Sequence, residues 1–203
     1  MFKNIIKELK HHIGFTIFGA ITGIILMLTF YNIPSTISYQ IFYTLHPIHI
    51  FLSALVTTSI FKIYSKKQKL LTLILVGYIG SVGIATLSDS IIPYLGELLL
   101  DLPNKGLHIG FLEEFWSVNI LAFLGIGIAY FKPKTKFPHA GHVLISTWAS
   151  SFHVIMALEK TISPILIITT FLFLFLAVWL PCCLSDIIFP LMFIKKFKNK
   201  EIP

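Results

Sequence analysis

The segment LSDSIIP, residues 87–93, places an aspartate and a proline four residues apart inside a long apolar run. A closely similar segment, LSDIIFP, occupies residues 184–190, which is 97 positions later (from 87 to 184). A carboxylate within so apolar a stretch costs free energy and usually marks a functional site. Its appearance twice in the same context is therefore informative. The two segments indicate that the chain contains an internal duplication.

Two further segments repeat in the same order. HIGF at residues 12–15 recurs at residues 108–111, 96 positions later (from 12 to 108). HPIH at residues 46–49 recurs as HAGH at residues 139–142, 93 positions later (from 46 to 139). Because the offsets are nearly constant, the sequence predicts a single membrane domain, 1–203, made of two related halves, 1–100 and 101–203.

The composition indicates an all-α integral membrane protein. Of the 203 residues, 56% are hydrophobic and 12% are charged, and the mean hydropathy is +0.85. A soluble body of this size leaves much of its area wet and cannot hide so much apolar surface. The adjacent Cys182 and Cys183 are the only cysteines, so no disulfide framework can form, and short lysine clusters between apolar runs do not indicate nucleic-acid binding.

Six apolar runs are long enough to cross a bilayer, which takes about 20 helical residues. They cover roughly residues 13–33, 45–64, 70–95, 108–131, 139–158 and 164–193. All 16 basic residues are lysines, and all except Lys105 and Lys160 fall in segments on one side when the N-terminus is placed inside. The positive-inside rule therefore predicts a multi-pass protein of the cell membrane with both termini in the cytoplasm.

Three spans in each half give the second half the opposite orientation in the membrane. Inverted repeats of this 3+3 kind underlie many secondary transporters, which bind their substrate between two similar halves. The inversion predicts two equivalent polar rings, one near each face of the bilayer. The outer ring would contain His46, His49, Asp89 and His108, and the inner ring would contain His139, His142, Asp186 and His12.

The residue types in these rings suit a divalent transition metal. Histidines at i and i+3 lie on one face of a helix, so both imidazoles can address one point. Neutral imidazoles with a carboxylate match the preferences of Zn²⁺, Fe²⁺, Ni²⁺ or Co²⁺. Each aspartate also precedes a proline by four residues, which leaves its carbonyl without the usual helical donor. Cys182 lies one turn before Asp186 and can supply a thiolate to the inner ring.

Several polar residues extend or break the symmetry of the two halves. Ser53 and Ser146 each follow a histidine pair and lie one to two turns deeper on the same helices. The second half also contains three residues that have no polar counterpart in the first half: Glu113, Glu114 and His153. We expect them to form a proton-titrating region between the rings. An alternative for the histidines at helix ends is hydrogen bonding to headgroups or water at the interface.

The leading hypothesis is a permease, either a secondary transporter or a channel, for a divalent metal cation, coupled to protons. The alternatives are a metal-dependent intramembrane hydrolase of lipid-like substrates, with Glu113 or Glu114 as base, a di-haem electron-transfer protein, and a scaffold subunit whose function lies in its partners. The absence of Walker A, G-x-S-x-G and H-E-x-x-H motifs argues against an ATP-driven pump or a familiar protease. We expect the bilayer, a metal ion and protons as partners, and self-association into a homo-oligomer is compatible with the sequence.

Overall fold

The structure is a computed structural model that describes residues 2–65, 69–158 and 162–194. Every regular element in these ranges is helical. The first three helices are α1 (Phe2–Phe30), α2 (Ser35–Tyr64) and α3 (Leu70–Leu99). A short helix and a longer one follow, α4 (Gly110–Glu113) and α5 (Phe115–Phe131). The last three are α6 (Lys136–Ala157), α7 (Pro164–Cys183) and α8 (Phe189–Met192).

Four helical segments are long and apolar enough to cross a membrane, which indicates a membrane protein. They are His12–Phe30, Ser35–Tyr64, Leu70–Leu99 and Pro164–Cys182. The fourth and fifth predicted runs also form helices, but α5 has only 17 residues. Helix α6 has 22 residues and carries three histidines and several hydroxyl side chains. The count of six spans therefore stays a prediction for these two helices.

Helices α2 and α6 lie side by side at the centre of the bundle. Helix α2 also packs against α3 and α5, and α6 also packs against α1 and α7. Every residue from 53 to 61 of α2 and from 150 to 157 of α6 is buried. A helix that is enclosed on all sides can direct polar side chains toward its neighbours and away from lipid. The polar side chains of α2 and α6 are thus placed where they meet partners on neighbouring helices.

Small residues let α1 approach α6 closely. Gly19 and Gly23 lie one turn apart, and a Cβ at either position would collide with Thr147 or Ser151 of α6. This small-xxx-small spacing is typical of tightly packed helices in membranes, where close backbone contact replaces the hydrophobic driving force. Helix α6 is therefore packed closely against α1 as well as against α2.

Two π-helical segments interrupt α3, and a third joins α7 to α8. The segments are Ile79–Gly83, Leu87–Ile91 and Leu184–Ile188, and the last two contain the repeated Leu-Ser-Asp motif. Pro93 and Pro190 follow these two segments and have no N–H for the carbonyl four residues back. The predicted proline kink is therefore accommodated by a local change to π-helical bonding, as is common in membrane helices.

The second and fourth predicted runs differ from the helices in the structure. Helix α2 begins at Ser35, ten residues before the predicted run at 45, because Pro34 is extended (ψ 139°) and starts the helix directly. The hydroxyl-rich first turns hid this from a search for apolar runs. The run 108–131 is divided at Glu114, whose backbone (φ −120°, ψ 49°) leaves the helical region between α4 and α5.

The loop after α3 folds back over the end of the bundle. Asp101 ends the helix with a left-handed conformation (φ 49°), which aspartate tolerates better than most residues. Lys105 donates a hydrogen bond to Asp101, and this bond holds the pKa of the Asp101 carboxyl below its ordinary value. The Asn104 N–H donates to the Ala157 carbonyl at 3.3 Å. The loop is thus attached to the end of α6.

Candidate metal centre

The carboxylate of Asp89 accepts hydrogen bonds from both histidines of the first HxxH pair, His46 and His49. The i and i+3 spacing on α2 directs both rings at the π-helical segment of α3 that carries Asp89. Nδ1 of His46 lies 2.9 Å from Oδ2 of Asp89, and Nδ1 of His49 lies 2.6 Å from the same oxygen. An ionised carboxylate can only accept, so both Nδ1 atoms are the donors. The neutral rings then present Nε2 as the nitrogen that can bind a metal.

The other oxygen of Asp89 is occupied by two hydroxyls. Ser88 and Ser146 each donate to Oδ1 at 2.7 Å. A carboxylate has about four acceptor sites, so these four donors saturate it. Although His46, His49 and Asp89 lie close enough to hold an ion, direct coordination by Asp89 would displace one of these bonds. Asp89 is therefore better suited to orienting the two imidazoles than to binding the metal itself.

A second set of ligands lies around His49 and comes from three different helices. His49 of α2, His142 of α6 and Cys182 of α7 each offer one ligand atom, and these atoms all lie within 4.8 Å of one another. Two ligands of one tetrahedral zinc ion are about 3.3–3.8 Å apart, because the bonds are about 2.0–2.3 Å long. The three side chains are 0–3% exposed. Little movement would bring them onto one ion, and their chemistry suits a borderline-soft divalent metal.

The remaining histidines of the predicted inner ring continue from His142. The ring centroids of His142 and His139 are 5.2 Å apart, and those of His139 and His12 are 4.2 Å apart. The side chain of Asp186, the predicted carboxylate of this ring, lies outside the described part of the structure. The described histidines of the inner ring thus form one continuous row with His49 of the predicted outer ring.

His108 and His153 lie together, apart from Asp89. Their ring centroids are 5.4 Å apart, and Nδ1 of His153 donates to Oε1 of Glu97 at 2.7 Å. The other Glu97 oxygen accepts the Gly106 N–H of the loop at 3.1 Å. The contacts described for His108 are with His153, Glu113 and aromatic rings, so the structure does not bring it into the predicted ring with Asp89. We call Glu97, His108 and His153 the loop cluster.

Sequence analysis did not identify Glu97 as a candidate. The predicted third run ends at residue 95, whereas α3 continues to Leu99 and buries Glu97 to 1% exposure. The available signal was a carboxylate directly after an apolar run, at a depth where it needs a partner. His153, the only histidine in the second half of α6, is that partner.

Phe42 separates the loop cluster from the residues around Asp89. Its ring is fully buried and stacks on His46 with a centroid distance of 5.4 Å. The same ring meets that of His153 in a T-shaped arrangement at a centroid distance of 5.3 Å. Apart from this ring and the Asp89 carboxylate, imidazoles follow one another through the bundle in the order His12, His139, His142, His49, His46, His153 and His108.

The two predicted proton-titrating glutamates have structural partners at the start of α5. Glu113 accepts the Ile109 N–H at 3.1 Å and the Tyr39 hydroxyl at 3.2 Å, which caps the short helix α4. Glu114 accepts the Ser117 hydroxyl at 3.2 Å. Neither is among the residues described around Asp89, so the structure gives the hydrolase hypothesis no general base at that position.

Two serine pairs repeat the same arrangement. Oγ of Ser146 lies 3.5 Å from Oγ of Ser88, and Oγ of Ser53 lies 3.1 Å from Oγ of Ser185. Ser53 is thus placed against the second Leu-Ser-Asp segment and not against the histidines that precede it. In both pairs a serine from a central helix meets a serine from the motif of the other half of the chain.

Comparison with known protein families, curated sequences and solved structures finds no match for this chain.

Proposed function

We propose that this protein is a multi-pass membrane permease for a divalent transition-metal cation, which it moves in exchange for protons. The observation that carries the proposal is the buried arrangement of His46 and His49 on Asp89, with His142 and Cys182 beside His49. It lies among helices that are apolar enough to cross a membrane. Buried ionisable groups in such helices characteristically mark the path of an ion or substrate.

The proposed architecture is a single domain of six spans built from two inverted halves, with both termini in the cytoplasm. The paired serine contacts support it, because an inverted repeat places equivalent residues of the two halves in equivalent surroundings. One turn beyond these pairs, Ser150 and Thr57 donate to the carbonyls of Ser88 and Ser185 at 3.1 and 3.4 Å. The π-helical segments Leu87–Ile91 and Leu184–Ile188 are also 97 positions apart (from 87 to 184).

The proposed cargo site consists of His49, His142 and Cys182, with Asp89 as the group that orients His49. The ring centroids of His49 and His142 are 5.3 Å apart. Two imidazoles on one tetrahedral ion have centroids about 5 Å apart, given metal–nitrogen bonds of about 2.0–2.1 Å. Nitrogen and sulfur ligands suit Zn²⁺, Co²⁺, Ni²⁺ or Fe²⁺ and disfavour Ca²⁺ and Mg²⁺.

Proton exchange follows from the ligand chemistry. A metal binds only neutral imidazole and ionised thiolate, so its arrival displaces any protons on these groups. When the metal leaves, the same groups can take up protons again. A site of this kind therefore links the movement of a metal in one direction to the movement of protons in the other.

The proposal is tested by metal uptake into proteoliposomes that contain the purified full chain and a trapped metal-sensitive dye. We expect His49→Ala and His142→Ala each to lower the initial rate of Zn²⁺ or Co²⁺ uptake by at least about 10-fold, as typical for damaged metal sites. Ser81→Ala is the matched control, because the Ser81 hydroxyl is buried in α3 but bonds only to nearby backbone carbonyls. The control should transport at the wild-type rate.

Unchanged uptake in both histidine variants would overturn the permease proposal. The purified protein also separates the alternatives. A Soret band would indicate bound haem, and release of fatty acid or headgroup from a panel of lipids would indicate a hydrolase. We expect neither signal.

A further inference from the structure

We propose that the loop cluster is a second metal site, separate from the cargo site, which binds a divalent transition-metal ion through His153 and His108. The site itself is argued from geometry alone, and only its place on a transport path rests on the proposed function. It would lie at the end of the bundle that is covered by the loop after α3.

One imidazole nitrogen of the loop cluster, Nε2 of His153, has no described partner. Nδ1 of His153 donates to Glu97, which leaves Nε2 as an acceptor in the neutral ring. Among the described residues Nε2 of His153 has no hydrogen-bond partner, although the side chain is 0% exposed. A buried polar atom without a partner is costly, and it is most readily explained by a ligand that binds there.

The carboxylate of Glu97 fixes the orientation of the His153 ring. Histidines that bind metals characteristically donate their other N–H to a carboxylate, which fixes the tautomer and makes the ligating nitrogen more basic. Glu97 holds His153 in this way, as Asp89 holds His49 in the cargo site. Glu97 is itself held, because its second oxygen accepts the Gly106 N–H.

His108 lies where it can supply a second imidazole to the same ion. Its ring centroid is 5.4 Å from that of His153, which matches the separation of about 5 Å for two imidazoles on one tetrahedral ion. His108 is 27% exposed, so an ion can reach it from outside the bundle. Oε2 of Glu113 lies 3.7 Å from Nδ1 of His108 and adds negative charge at this opening.

The two sites are distinct because Phe42 lies between them. Its fully buried ring stacks on the ring of His46 and meets the ring of His153 in a T-shaped arrangement. No described contact joins His108 or His153 to Asp89. One ion cannot serve both sets of ligands, so the two sites should fill independently.

Equilibrium titration of the detergent-purified full chain with Co²⁺ distinguishes the sites, because only the cargo site contains a thiolate. Wild-type protein should bind two equivalents, one of which gives a thiolate-to-cobalt charge-transfer band. His153→Ala and His108→Ala should each remove one equivalent and leave that band intact. Cys182→Ser should remove the band and leave the equivalent bound by the loop cluster.

The matched control is Ser151→Ala on α6, since the buried Ser151 hydroxyl donates to the Thr147 carbonyl of its own helix. It should bind two equivalents. The proposal is overturned if the wild type binds only the equivalent with the thiolate band, or if stoichiometry is unchanged in both histidine variants. Loss of Zn²⁺ transport cannot mimic either result, so a failure of the permease proposal would be recognised separately in the uptake assay. The partly exposed His108 keeps the test decisive should His153→Ala fail to fold.

Discussion

The carboxylate of Asp89 is fully buried inside the bundle and accepts hydrogen bonds from the side chains around it. Two imidazole N–H groups and two hydroxyls donate to it, and each such bond to a charged acceptor contributes roughly 1.5–3 kcal/mol. The spacing of His46 and His49 predicts that both rings address one point, and the structure places Asp89 there. The saturation of the carboxylate was not predictable, because it depends on Ser146, which is brought in by a helix far along the chain.

Gly110 provides a test of this packing at the scale of a single residue. A Cβ at Gly110 would collide with the imidazole of His46. We expect Gly110→Ala to push His46 from Asp89 and to lower the free energy of unfolding by about 1–3 kcal/mol, as is usual for an overpacked core. Thermal unfolding of the purified protein measures the change.

Gly14 is the matched control for this substitution. It is the equivalent position in the repeated HIGF segment, and a Cβ there would meet nothing within 4 Å. Because alanine favours helix by about 1 kcal/mol over glycine, Gly14→Ala should leave stability unchanged or raise it. Equal destabilisation by both substitutions would contradict the contact described for Gly110.

At the scale of the element, the π-helical segment of α3 determines where the carboxylate points. Residues 87–91 carry Asp89 toward α2 and Ser88 toward the hydroxyls of α6. The sequence predicted that Pro93 disturbs the helix at this point, since the missing N–H affects Asp89 directly. Whether the helix kinks or widens depends on how neighbouring helices pack, and this is not encoded in the local sequence.

Pro93→Ala tests the role of this segment. Restoring the N–H should allow the bond to the Asp89 carbonyl and convert the segment to α-helix, which turns Asp89 from the histidines. We expect metal uptake to fall by about 10-fold, as for other disrupted orienting groups. Stability should fall as well, because turning Asp89 away breaks the four hydrogen bonds to its carboxylate, at roughly 1.5–3 kcal/mol each, and this outweighs the gain of about 3 kcal/mol from removing a proline from the helix.

Pro103→Ala in the exposed loop is the control. It should change neither uptake nor stability. If Pro93→Ala raises stability while uptake remains at the wild-type rate, the π-helical geometry does not position the carboxylate.

At the scale of the whole molecule, the sequence predicts the helical membrane class better than it predicts the site. The cargo site joins His49, His142 and Cys182 from three helices, and only the packing of those helices shows that they meet. Glu97 was missed because an apolar-run search ends before it. The predicted separation into two rings also differs from the row of imidazoles that the described residues form.

The proposed topology is tested by labelling single cysteines in intact cells with a maleimide that does not cross membranes. In a background with Cys182 and Cys183 replaced by serine, Asn104→Cys should be labelled directly. Lys134→Cys should be labelled only after the membrane is permeabilised, because lysine-rich connections face the cytoplasm. Labelling of both positions in intact cells would exclude an odd number of spans between them and with it the inverted arrangement.

The position of Phe42 affects how fast the proposed permease can transport ions. In the described conformation the hydrocarbon ring of Phe42 lies between His46 and His153, so an ion that follows the row of imidazoles meets this ring on its way. Each passage then requires the ring to swing aside or α2 to shift, and motions of this kind take microseconds to milliseconds or longer. Turnover would accordingly be counted in single ions per conformational cycle, far below the throughput of an open pore.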